Sequence, residues 1–279
     1  MGMMRWYVFP FMVKRLLKML NKNKINFLSL TLFIAGGCSH ATNNTIFPPT
    51  DTKWVTIEVN NPSKYTKPFP LEVRYISHEC QKKKVNGFDG SVDSEPSYNV
   101  IQVPLQQQNG DRWKGTVAMT GGGACTWSLS AINVGIEYID ATHFGNDLIP
   151  GTAVGATIAF DADAARNGQF DSVMGNEFNY SPKYYPFIKK WNDSPQSTMK
   201  DKLYLFGKED AFWKVKLNYK SNEDILINYN PSLDESKKVL MTFPNKKGKD
   251  AMYSFVYPDG SIIASKNTTP DFSKVDKMK

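Results

Sequence analysis

LEVRY, residues 71–75, decides the fold class: Leu71, Val73 and Tyr75 alternate with Glu72 and Arg74. Successive side chains of an extended strand point to opposite faces, so apolar groups fall on one side and charges on the other. The same period spreads outward. Residues 54–59 (WVTIEV) are β-branched and half alternating, and 100–103, 112–119, 125–132, 135–139 and 157–160 read as further strands. Turn signals separate them at Asn61-Pro62, Asn86-Gly87, Asn109-Gly110 and Gly121-Gly122-Gly123. Asn109-Gly110 between two such runs predicts a hairpin. The pattern is that of an all-β, antiparallel, sandwich-like fold rather than a βαβ fold.

Residues 161–200 break this rhythm. They are polar and aromatic, with Pro182, Pro186 and Pro195, and read as a long irregular connection with room for a short helix. Strands resume at 202–206, 212–219, 224–229, 239–243, 252–257 and 261–264, with Pro258-Asp259-Gly260 as a tight turn between the last two. The expected organisation is thus two lobes, a β-sandwich-like domain over 52–160 and a β-rich one over 201–279. The charged tail from Lys266 reads as a fraying end.

The N-terminus reads differently. INFLSLTLFIA, residues 25–35, is apolar and uncharged. As a helix it spans about 16 Å, half a bilayer core, which suits an export signal better than a membrane span. Asn21-Lys22-Asn23-Lys24 precedes it as a basic region, and Ala35-Gly36-Gly37 then lead to Cys38. This resembles a lipobox, with Ala35 where Leu is usual. It makes 1–37 a signal peptide and Cys38 the acylated residue, carrying diacylglycerol and palmitate; an ordinary secretory signal with a chance cysteine is the alternative. Ser39 after the cysteine, by resemblance to bacterial sorting rules, directs the chain to the outer membrane. Met19 would start a more compact signal than Met1. Residues 38–51, polar and proline-bearing, read as a flexible tether.

Removing the leader changes the charge balance. The whole chain has 34 Lys+Arg against 27 Asp+Glu, but six of the basic residues lie in 1–37, which leaves 28 against 27. No nucleic-acid partner is expected of a nearly neutral chain. Two cysteines remain, Cys80 and Cys125. In an exported protein they read as a disulfide closing a loop of about 45 residues. A metal pair or a reactive thiol is the alternative, although no further ligands stand nearby at zinc spacing.

Catalytic signatures are sparse. His40, His78 and His143 are the only histidines, and there is no Gly-x-Ser-x-Gly, His-Glu-x-x-His or phosphate-binding glycine loop. Gly121-Gly122-Gly123 precedes a strand rather than a helix, so a turn needing positive φ is its use. His78-Glu79-Cys80 offers an activated thiol only if Cys80 is free. Asp161, Asp163, Asn167-Gly168 and Asp171 resemble a calcium loop, but their spacing departs from the EF-hand and a polar turn explains them as well. No cofactor is expected and a non-enzymatic binding role follows. Phe178, Tyr180, Tyr184, Tyr185, Phe187 and Trp191 crowd one segment beside Lys183, Lys189 and Lys190. Such aromatics suit a binding hot spot, or else they fill the space between two lobes. Tyr184, Tyr185, Lys189, Lys190 and Trp191 are the candidate partner-binding residues.

FPLEVRYIS at 69–77, Cys80, and GGGACTWSL at 121–129, together with the lipobox, resemble the type VI secretion lipase immunity lipoproteins of enterobacteria. The resemblance covers 52 to about 190, and the remainder adds nothing to it. It implies an outer-membrane lipoprotein, facing the periplasm, that binds and neutralises a secreted phospholipase encoded beside it. A structural or assembly lipoprotein of the envelope without a toxin partner is the competing reading, and an envelope hydrolase a third.

Overall fold

The alternation at 71–75 is carried into three dimensions in the computed structural model, where Leu71, Val73 and Tyr75 are buried and Glu72 points to solvent. The structure describes residues 46–166, 169–191, 200–209, 211–243 and 252–278. The candidate lipidation site Cys38, the signal peptide and most of the tether lie outside the described residues. Among the described residues the regular structure is nearly all strand, arranged as three sheets.

The first sheet runs, in spatial order, Glu177–Tyr180, Ile225–Tyr229, Trp54–Asn60, Arg112–Ala118, Gln106–Gln107. The second runs Asp171–Met174, Phe212–Asn218, Val154–Ala159, Trp127–Tyr138, Leu71–Val85, Val92–Val103. The third runs Ile262–Ser265, Tyr253–Val256, Val239–Thr242, Lys183–Lys190, Lys202–Phe206, Ile149–Pro150. The fold is all-β and sandwich-like, as the sequence predicts. Its sheets are mixed, however, rather than purely antiparallel. Trp54–Asn60 pairs parallel with Ile225–Tyr229, and Val154–Ala159 pairs parallel with Phe212–Asn218.

These parallel pairings put strands of the C-terminal segment into the first and second sheets. A large core gathers Val55 and Ile57 from the first sheet with Val73, Ile132 and Ile158 from the second. A smaller one holds Tyr185, Phe187, Phe206, Val239 and Phe255. Two cores therefore exist, but strands from 201–279 serve both. Burying each large apolar side chain stabilises the fold by about 1.5–3 kcal/mol. Trp127, fully buried, and Tyr75, whose hydroxyl donates to the Ala118 carbonyl at 2.8 Å, are among the largest members of the main core.

The segment expected as a connection, 161–200, supplies three strands: Asp171–Met174, Glu177–Tyr180 and Lys183–Lys190. The last is buried on both faces, so it lacks the alternation that marks a half-buried strand. Tyr184 and Ile188 face the large core, while Tyr185 and Phe187 face the small one. Pro186 is tolerated in this interior strand because its neighbour is split. Ser232–Leu233 pairs with Lys183 and Tyr184, and Val239–Thr242 takes over only from Phe187. Pro186 sits in the gap, where that side demands no ladder hydrogen bond.

The tail does not fray. Phe272–Asp276 forms a helical turn capped by Asp271, whose side chain accepts from the Lys274 amide, and Val275 is fully buried. Asp276 accepts from the Tyr185 hydroxyl at 2.7 Å and from Lys183 Nζ at 2.9 Å.

Candidate partner-binding surface

The five residues singled out as a contact surface do not form one. Tyr184 is 3 % and Tyr185 0 % exposed, so neither can meet a partner. The Tyr184 hydroxyl accepts from Tyr229 at 3.0 Å inside the core, and burial pushes the pKa of Tyr184 far above its ordinary value. Both fill core instead, Tyr184 the large one and Tyr185 the small one. Lys189 and Lys190 leave opposite faces of the same strand. Lys189 lies over the Tyr204 and Phe187 rings, 4.8 and 5.4 Å from their centroids, and burial lowers its pKa. It borders a cavity of about 430 Å³ with Lys208, Glu209 and Phe272. Lys190 borders a shallower groove of about 570 Å³ with Phe144, Lys200 and Asp201. Trp191 stacks on Phe243, ring centroids 4.1 Å apart, and its amide donates to Asp201 at 2.9 Å.

A more conspicuous exposed element grows from the strand that opened the sequence reading. Leu71–Val85 and Val92–Val103 pair along their length, but Trp127–Tyr138 supports the former only as far as Ile76. From Gln81 to Pro96 the two strands pair with each other alone, in five rungs from Gln81↔Pro96 to Val85↔Val92. At about 3.4 Å per residue this arm reaches about 17 Å past its root.

The root is fixed by the predicted bridge: Cys80 and Cys125 form a disulfide. Between Ser77 and Gln81 the register shifts, so His78, Glu79 and Cys80 bulge out of the ladder. The bulge turns Cys80 toward Cys125, which is 2 % exposed in the main core. The Ser77 hydroxyl donates to the Cys125 carbonyl and accepts from the Cys80 amide at 3.0 Å. Thr126, a non-glycine residue at φ 45°, donates to Glu79 at 2.6 Å. Three contacts, the disulfide and the hydrogen bonds made by Ser77 to Cys125 and by Thr126 to Glu79, thus clamp the arm to the turn after Gly121-Gly122-Gly123.

The tip is built for display. The Asn86 amide donates to the Ser91 carbonyl at 2.8 Å, and Gly90 turns the chain at φ 71°. Phe88 between them is 98 % exposed, and Val85 and Val92, opposite each other on one face, are 65 % and 58 % exposed. The other face is charged, with Lys84 Nζ 3.3 Å from Glu95. Sequence reading missed the arm because QKKKV (81–85) is solvated on both faces and shows no hydrophobic period. The usable signal was Asn86-Gly87 followed by Asp89-Gly90, a turn cluster flanked by Val85 and Val92.

Both histidines of the described residues lie against carboxylates. The His143 ring stacks on Tyr65, centroids 3.6 Å apart, and its Nε2 lies 3.0 Å from Glu235, which also accepts from Tyr138. His78 lies 3.3 Å from Asp163, which Arg166 holds at 3.0 Å. In the calcium-like loop the carboxylates go separate ways. Asp161 accepts from the Ala164 amide, and Asp171 accepts from Trp213 Nε1, while Asn167 and Gly168 lie outside the described residues. Among the described residues no group of three or more His, Cys, Asp or Glu side chains could hold a metal ion. Compared with protein-family models, characterised proteins and solved structures, the chain matches none.

Proposed function

We propose that the chain is a lipid-anchored envelope protein that binds and neutralises a secreted phospholipase in the periplasm. The observation that carries this reading is the clamped, apolar-tipped arm: exposed apolar groups on a rigid scaffold suit protein recognition better than catalysis. Three sequence features support it: the signal with Cys38 at its end, which would tether the body at the outer membrane, the oxidised Cys80–Cys125 pair expected of an exported protein, and the resemblance of 69–77 and 121–129 to lipase immunity lipoproteins. Tethering would confine the inhibitor to a thin layer and raise its effective concentration against an enzyme arriving at the same membrane.

The test is a titration of the phospholipase encoded beside this gene, recognised by its Gly-x-Ser-x-Gly motif, with the full chain in detergent micelles. Activity should fall to zero near equimolar protein. Undiminished activity, or the absence of any lipase-like neighbouring gene, would instead favour an assembly role in the envelope.

A further inference from the structure

We infer that the arm from Gln81 to Pro96 is the inhibitory element, and that Phe88 with Val85 and Val92 enters the apolar acyl-chain cleft of the phospholipase. The inference rests on the function proposed above and adds the contact surface to it. A two-stranded ribbon with strands about 4.8 Å apart is narrow enough to enter an enzyme cleft, whereas the sheets behind it are not. The arm projects about 17 Å past the disulfide, so its tip can reach the floor of a cleft while the body stays at the rim. Phe88 is a large apolar group with almost no contact of its own, and side chains of that kind anchor interfaces when a pocket takes them. The clamp at Cys80 fixes the root of the arm before binding, which lowers the ordering entropy that association must overcome.

The arm's electrostatics favour a protein cleft over a lipid surface. Lys82, Lys83 and Lys84 are balanced by Asp89, Asp93 and Glu95, so the arm has no net charge to attract anionic headgroups. One of these acids adjoins Phe88 at the tip. The Ser91 amide and hydroxyl donate to Asp89 at 3.0 and 2.7 Å and hold its carboxyl below the usual carboxylate range. A fixed negative charge beside the aromatic ring opposes insertion among phosphate headgroups, but it can be met by a donor at the mouth of an enzyme cleft.

The experiment places p-benzoylphenylalanine at position 88 of the full chain, in cells that also make the neighbouring phospholipase, and irradiates them. In parallel, the Phe88→Asp and wild-type full chains are titrated against the enzyme. Expected are a crosslinked adduct of this chain with the phospholipase and a loss of inhibition by Phe88→Asp of about 30-fold or more, the effect of an interface hot spot. The variant should keep the wild-type melting temperature, because Phe88 packs on nothing. If wild type inhibits while Phe88→Asp inhibits equally, or the adduct joins lipid or a second copy of this chain, the arm assignment is overturned and the function stands. If wild type fails to inhibit, both fall.

Discussion

Replacing both Cys80 and Cys125 with alanine should destabilise the fold by an amount that follows from the length of chain the bridge closes. The cysteines are 45 residues apart, and the loop-entropy relation assigns such a closure about 4 kcal/mol at 25 °C. For a body of this size each kcal/mol moves the midpoint by about 2–4 °C, so the double variant should melt about 8–16 °C lower than the oxidised parent. Calorimetric or circular-dichroism melts in buffer without reductant measure this directly. The loss should also have a place. Cys125 sits in the main core whereas the arm beyond Cys80 pairs only with itself, so amide exchange should accelerate most over 77–97 and least over 127–138. A midpoint within about 3 °C of the parent's would mean that the bridge constrains little of the unfolded chain, contrary to the loop-entropy reasoning. Unchanged exchange in the arm would mean that the clamp is made by Ser77 and Thr126 alone.

Other substitutions probe particular contacts. Tyr184→Ala should cost about 3–5 kcal/mol, as other buried aromatic truncations do; the same melts retaining the parent midpoint would return Tyr184 to the surface. Tyr184→Phe should cost only about 1–2 kcal/mol, by leaving the Tyr229 hydroxyl without its acceptor, and should leave phospholipase inhibition intact. Gly135 and Gly155 face each other across two strands, and a Cβ on Gly135 would come 2.0 Å from the Val154 carbonyl oxygen. Gly135→Ala should therefore destabilise by about 1–3 kcal/mol in urea titrations, through forced displacement of backbone. The Tyr185 hydroxyl and the Lys183 ammonium hold the Asp276 carboxyl below its ordinary range. A depressed folded-state pKa gives stability that is present above the ordinary aspartate value and lost as pH falls through the folded one. Asp276→Asn should thus be less stable than the parent at pH 7 in urea titrations, and the two should converge as pH falls through the folded-state pKa of Asp276.

How much of this was legible depended on how each segment meets water. Leu71, Val73 and Tyr75 announced their strand because one face is buried and the other solvated. Asn109-Gly110 announced a turn, with Gly110 at φ 58°, but the hairpin it closes joins Arg112–Ala118 to the two-residue strand Gln106–Gln107 and not to Val92–Val103, which lies in another sheet. The cysteine pair was legible from the export-like leader and the even count that remains after it. Lys183–Lys190 was not, since a strand packed on both faces shows an apolar run without period, and its prolines mimic a loop. The arm escaped for the opposite reason, being solvated on both faces. Parallel pairing of Trp54–Asn60 with Ile225–Tyr229 joins segments about 170 residues apart, and no local pattern encodes that register. Tyr184 and Tyr185 were drawn toward a surface role by composition alone, which cannot tell an aromatic in a hot spot from one in a core.

For the proposed function the most direct measurement is survival of cells in which a phospholipase encoded beside this gene is exported to the periplasm, with and without this protein made with residues 1–37 in place. Growth and intact membrane phospholipids in the presence of the chain, and lysis with lysophospholipid release in its absence, are the expected results. Equal lysis in both strains, with the mature chain present in the envelope at levels matching the enzyme, would contradict the neutralising role.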